Sequence, residues 1–140
     1  MTISRSARIR SVARVVLGAA LFIAGIGHIT FARADFQAQV PDWIGIDKNV
    51  VVVVSGLVEI SLGVALIVVR RRRAMLGLTV GLFFIAVFPG NISQFIDGHD
   101  VFGLNSDAAR RNRLFFQPVL VAWAWWSTNA GDVLRRRTRV

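Results

Sequence analysis

The apolar positions of this chain gather in four long stretches, and roughly 20 mostly apolar residues are what a helix needs to cross a bilayer. The first, residues 12–31, is interrupted by Arg14 near its start and His28 near its end. The second, residues 50–69, carries a single acid, Glu59. The third, residues 74–96, contains Pro89. The fourth, residues 114–130, has a short apolar centre at 114–126. Ser106 or Asp107 is placed to cap a helix that begins earlier, outside the lipid, and bends at Pro118. The pattern predicts an all-α fold, a four-helix antiparallel transmembrane bundle forming a single domain over residues 1–140.

Charge gives the spans a direction. The chain has 17 Lys and Arg against 8 Asp and Glu, a net charge of +9. Such a balance would ordinarily prompt a nucleic-acid reading. Here the cations flank apolar stretches, so membrane topology explains them and no nucleic-acid partner is expected. Arg5, Arg8, Arg10 and Arg14 precede span one, Arg70, Arg71, Arg72 and Arg73 link spans two and three, and Arg135, Arg136, Arg137 and Arg139 follow span four. The positive-inside rule puts all three groups, and both termini, in the cytoplasm. The four-arginine link is short enough to require an antiparallel hairpin of spans two and three. Arg110, Arg111 and Arg113 lie on the opposite side, where they either snorkel at the interface or contact an anionic group.

Span one also resembles a signal peptide, with Ala32-Arg33-Ala34 as a cleavage-like site before Asp35. Its length, and a histidine beside Gly25 and Gly27, favour an uncleaved packing helix. Apolar residues are 54% of the chain, which argues against a soluble domain, and cysteine is absent, which excludes disulfides and thiolate metal sites.

Helices in lipid pack closely through small residues. Gly18 and Gly25 share a face of span one, Gly56 and Gly63 share one on span two, and Gly77 and Gly81 form a small-xxx-small pair on span three. These read as internal bundle contacts. Trp123, Trp125 and Trp126 near the inner end of span four read as an interfacial belt. The loop containing Pro41, Asp42, Trp43 and Ile44 suits a segment lying on the outer surface, as an anchor or a lid.

Polar residues inside the spans carry the functional information, because each needs a partner in lipid. Glu59 falls near the midplane, and helical rise sets His28, Asn91 and Gln117 roughly 7–10 Å outward of it. Gln94 shares a face with Asn91. His28, Glu59, Asn91, Gln94 and Gln117 are therefore the candidate ligand-binding set, lining a small polar pocket in the outer half of the bundle. The purely structural alternative is a hydrogen-bonded cluster that fixes helix register. A midplane Glu59 is expected to hold a proton or to pair with His28, through tilt or a water since helix rise sets them about 10 Å apart, with Ser55 one turn away as a donor. No metal site is expected: the pair is too small, and Asp97, His99 and Asp100 form no strong ligand pattern. Pro89 frees a backbone carbonyl beside the cluster, and that carbonyl must find a partner.

Taken in order, Gly27-His28, Phe36, Val40-Pro41-Asp42-Trp43-Ile44, Ser55-Gly56-Leu57-Val58-Glu59, Phe88-Pro89-Gly90-Asn91 and Arg113-Leu114-Phe115-Phe116-Gln117 resemble the DoxX-like family of small four-span bacterial membrane proteins. The resemblance covers about residues 12–130. The chain departs from it in lacking prolines soon after His28 and after Ile44, and in placing Pro118 after the last glutamine rather than before it. The resemblance implies a multi-pass protein of the bacterial inner membrane. Family members have been linked to membrane redox complexes, including a thiosulfate:quinone oxidoreductase, and to maturation or trafficking of other proteins. It supplies no catalytic set to carry over.

The leading expectation is an integral subunit of a redox complex that holds a quinone or lipid-like molecule in the outward-facing pocket. No cofactor motif is evident, so a membrane or redox protein partner is expected alongside the lipid bilayer. The alternative is a non-enzymatic assembly protein holding a partner in the bilayer, and a third reading is a transporter of a small solute, which would act as a homo-oligomer.

Overall fold

The computed structural model describes residues 4–98, 100, 102–103 and 105–137, with side chains to residue 135. His99 and Arg139 lie outside the described residues, and so do the side chains of Arg136 and Arg137. The described residues form helices α1 (Arg5–Ile29), α2 (Arg33–Gln39), α3 (Lys48–Val68), α4 (Arg73–Asp97), α5 (Asp107–Thr128) and α6 (Gly131–Arg137), with a 3₁₀ turn at Asp42–Ile44 before α3. No strand occurs among them.

Short polar side chains set the helix starts. Ser4 accepts from the Ala7 amide, Asp47 from the Val50 amide at 3.1 Å and Ser106 from the Ala109 amide at 3.2 Å, each satisfying an amide that the first turn leaves free. Left-handed residues end two of them: Gly98 (φ 67°) closes α4, and Asn129 (φ 60°) closes α5. Three helices, α1, α3 and α4, are long and apolar enough to cross a membrane. α5 has 22 residues, but its first two turns carry Asp107, Arg110, Arg111 and Arg113, which dilute its apolar character.

α1 and α3 pack backbone to backbone. A Cβ on Gly18 would meet the Gly63 carbonyl at 2.8 Å, and one on Gly25 would meet the Gly56 carbonyl at 2.6 Å. These contacts descend α3 as they ascend α1, so the two helices run in opposite directions. On α4, a Cβ at Gly77 would strike Thr128 and one at Gly81 would strike the Trp125 indole, so α5 fills a notch cut by two glycines. Leu17, Leu21, Leu66, Val80, Phe84 and Ala124 close the core between these pairs. α1 touches α5, whereas α3 and α4 meet sparsely despite their short connection at residues 69–72. The four-arginine link thus joins two helices that are neighbours in sequence but not tight partners.

Two groups read from sequence as topology or interface signals have packing roles. Arg14 is buried and donates through Nη1 to the carbonyls of Leu66 and of Val69, the latter at 3.1 Å, closing the C-terminal end of α3. Such ends leave carbonyls free, and a guanidinium is well suited to hold them. Of the three tryptophans, only Trp126 is largely exposed, with Arg10 stacked 5.9 Å from its ring. Trp123 donates to the Ala13 carbonyl at 3.0 Å, and Trp125 lies in the Gly81 notch.

Gly56→Val should lower the stability of the folded protein by about 1–3 kcal/mol or more, because the new side chain meets backbone that cannot move aside. Gly131→Ala, which meets nothing within 4 Å, should be neutral. Thermal unfolding in detergent compares the two, and a neutral Gly56→Val would show that the close crossing is not a stability determinant.

Candidate ligand cavity

The sparse contact between α3 and α4 leaves a cavity of about 1190 Å³. Leu17, Leu21 and Ala24 line it from α1, Val51, Val54 and Val58 from α3, and Phe83, Phe84 and Val87 from α4. Phe116 and Leu120 of α5 line another side, and Val40, Pro41, Trp43 and Ile44 of the connection between α2 and α3 also line it. The volume exceeds the roughly 300–1,000 Å³ of ordinary ligand clefts. The wall is mainly apolar, with polar side chains confined to a few positions.

Two of these, His28 and Glu59, form a direct pair. His28 Nδ1 lies 2.9 Å from Glu59 Oε2 and also 2.9 Å from the Ala24 carbonyl. The offset inferred from helical rise is overcome by the glycine crossing. A Cβ on Gly56 would touch the His28 Cβ, so the histidine root sits level with Gly56, and its ring reaches one turn inward to Glu59. Phe36 stacks on the imidazole, with centroids 3.4 Å apart and planes at 15°. Ser55 does not serve Glu59; its hydroxyl donates to the Val51 carbonyl at 2.7 Å. Glu59 Oε2 is buried and makes no hydrogen bond of good geometry.

This arrangement constrains protons. One Nδ1–H can point at the Ala24 carbonyl, which also lies within the α1 ladder, or at Glu59 Oε2, which has no other donor beside it. A proton on Oε2 can point back at Nδ1 only if Nδ1 is bare. With Nδ1 turned to these two oxygens, Nε2 is the ring nitrogen left for a ligand.

The other three expected residues form a second cluster on α4 and α5. Asn91 Nδ2 donates to Gln117 Oε1 at 3.0 Å, and Gln117 Nε2 donates to the Phe84 carbonyl at 2.5 Å. That acceptor is one residue before Ile85, whose carbonyl loses its donor because Pro89 has no N–H. α4 nevertheless runs unbroken through Pro89, with the side-chain amide of α5 supporting its backbone. Gln94 is fully buried and accepts from Gln39 Nε2 at 2.7 Å. It does not line the cavity, whereas His28, Glu59, Asn91 and Gln117 do.

Three participants lie outside the candidate ligand set, although Phe36 and Arg113 stand out in the sequence for other reasons. Gln39 reaches Gln94 and Arg113 from α2, where nothing marks it out from neighbouring Gln37. Phe36 supplies the stacking face, and a lone aromatic in a loop gives no sign of that. Arg113 lines the cavity and donates to Asn91 Oδ1 at 3.3 Å and to Gln39 Oε1 at 3.4 Å. Its signal was visible as a cation on the wrong side of the charge rule. Arg110, by contrast, is held by Asp107 at 2.6 Å and Asp100 at 2.5 Å, and these carboxylates raise its pKa above the ordinary arginine value. Asp97 accepts from Ser93 at 2.6 Å.

Residues 17–128 match the model of a family described as a domain of unknown function, DUF8561, and the chain belongs to that family. No curated protein and no solved structure matches it.

The His28–Glu59 contact should behave as a coupled pair. A double-mutant cycle of His28→Ala and Glu59→Ala on thermal stability should give a coupling of about 1–3 kcal/mol. Additive effects would show that the two side chains are adjacent without interacting.

Proposed function

We propose that all four long helices cross the membrane as an antiparallel bundle with both termini cytoplasmic, in a DoxX-like architecture of the bacterial inner membrane. In this reading the chain is an integral subunit of a redox complex and holds a quinone or lipid-like molecule in the outward-facing cavity. The observation that carries the proposal is the buried His28–Glu59 pair on the wall of an otherwise apolar cavity. Glu59 Oε2 is buried with His28 Nδ1 as its one polar neighbour, and a group entering the cavity would find the carboxyl and the imidazole side by side.

A quinone supplies an acceptor of two electrons and two protons. The residues of this chain would supply binding and proton handling. Apolar side chains of α3 and α4 would hold the body of the molecule and exclude water, and Phe36 keeps the imidazole fixed. Nε2 would face the ligand, while Nδ1 and Glu59 Oε2 hold a proton that can pass between them over 2.9 Å. Electrons would come from a partner protein, since the chain has no cysteine.

The assembly reading asks the glycine faces to receive a partner helix. Gly18, Gly25, Gly56 and Gly63 are occupied by one another, and Gly77 and Gly81 by α5, so those faces are not free. This favours the cavity as the functional feature.

Mild-detergent purification from the native host should therefore recover a quinone or lipid, or a redox protein, in near-stoichiometric amount. Recovery of a non-redox partner alone, with an empty cavity, would favour the assembly role. Glu59→Gln keeps shape and hydrogen bonding but removes the titratable proton. It should leave folding intact and reduce activity of the complex by about a hundredfold, the scale of a lost acid–base group. Full activity in Glu59→Gln, with only a lower folded yield in Glu59→Leu, would make Glu59 a packing residue.

A further inference from the structure

The outer end of the cavity differs chemically from its middle. Arg113 lines it, and the acceptors facing its guanidinium are the neutral amides of Asn91 and Gln39, at 3.3 and 3.4 Å. In the alternative orientation of the Gln39 amide, its oxygen accepts from Arg113 Nη1 and Nη2 at 3.3 and 3.1 Å. The ring of Phe102 lies 4.7 Å from the guanidinium carbon. No carboxylate pairs with Arg113 among the described residues, although Arg110, one turn away, has two. Glu59 is the only acid on the cavity wall, and it is committed to His28 further in. A charge held partly out of water normally needs a counter-charge.

Depth locates that missing counter-charge. Arg113 lies one turn outward of Gln117, which places it roughly 13–16 Å from the midplane, near the edge of a hydrocarbon core about 30 Å thick. That is the level at which lipid head groups meet acyl chains. The wall inward of Arg113 is apolar, formed by Val51, Val54, Val58, Val87 and Phe116.

The cavity is also open sideways. Val54, Val58 and Ala86 line it and are also solvent-exposed, so at these positions the cavity is not sealed by protein. They lie on facing parts of α3 and α4. These helices are joined at the inner end by residues 69–72 and make few contacts, so the gap between them belongs to the outer half.

We propose that the cavity binds an anionic acyl lipid of the outer leaflet, entering between α3 and α4, with its carboxylate or phosphate head on Arg113 and its chain along the apolar wall. The proposal deepens the cavity reading above by naming the ligand class, and it rests on that reading. A guanidinium with only neutral partners can present its free N–H groups to one head group in bidentate fashion.

The test uses the purified full chain in detergent, read by quenching of tryptophan fluorescence, since Trp43 borders the cavity. The probes are 9,10-dibromostearate and the corresponding neutral dibromostearyl alcohol at equal mole fractions. The acid should bind at least about tenfold more tightly than the alcohol, the scale of one charge-assisted contact. Arg113→Gln should abolish that preference while leaving alcohol binding unchanged, and Arg113→Lys should retain part of it. Trp43→Phe should remove most of the saturable quenching. Equal binding of acid and alcohol by the unmodified protein would overturn the anion assignment and leave the cavity reading standing. Saturable quenching by neither probe would overturn both. If Arg113→Gln does not fold, the acid–alcohol comparison in the unmodified protein still decides. Lipid mass spectrometry of protein taken from native membranes then separates a fatty-acid carboxylate from a phospholipid phosphate, and enrichment of neutral or zwitterionic lipids alone would count against the proposal.

Discussion

The close crossing of α1 and α3 governs the remaining structure. Four glycines remove the side chains that would otherwise hold these helices apart, and carbonyls of one helix lie against the α-carbons of the other. In lipid there is no hydrophobic force to bring two apolar helices together, so shape fit and dispersion must do it. The crossing also brings His28 to the level of Gly56, within reach of Glu59. Arg14 closes the same interface at the inner end by holding the last carbonyls of α3. One packing decision therefore sets the helix pair, the buried acid–base contact and the termination of α3.

The second pair, α4 with α5, is built differently. A two-glycine notch in the N-terminal part of α4 receives Thr128 and Trp125, while side-chain amides join the two helices in the C-terminal half of α4. Pro89 leaves the Ile85 carbonyl without its helical donor, and Gln117 of the neighbouring helix donates to the carbonyl one residue earlier, that of Phe84. The amide cluster thus carries a clear structural duty. Asn91 and Gln117 are tied to each other and to the α4 backbone, whereas Glu59 Oε2 has only His28 beside it.

Much of this was legible in the residues. The long helices, the Ser106 cap and the glycine faces follow from periodicity, local hydrogen bonding and residue size. Outer-half clustering of polar side chains followed from counting helical rise. Lateral placement did not follow, because rise measures depth and says nothing about which helices touch. Consequently the pairing of α1 with α3 over α3 with α4 was not legible, and His28 was legible as the partner of Glu59 only on condition of tilt or a bridging water. Arg14 looked like one of several topology charges, since nothing local distinguishes a buried arginine from a solvated one. Gln39 lies on a helix of seven residues, too short for periodicity to reveal its inward face.

The uneven packing also has a mechanical side. α1 and α3 are locked by backbone contact and by the Arg14 bridge, and α4 and α5 by their notch and amides. Each pair is stiff, because sliding either helix against its mate would force carbonyls into α-carbons or strip a buried amide of its partner. The seam between the pairs is the more sparsely packed part, crossed by α1 against α5, by α2 against both α3 and α4, and by the short 69–72 connection. A rotation of one pair against the other about the arginine-rich turn would change the cavity width. The acid–base contact sits wholly within one pair and would keep its geometry while the chamber beside it opened and closed.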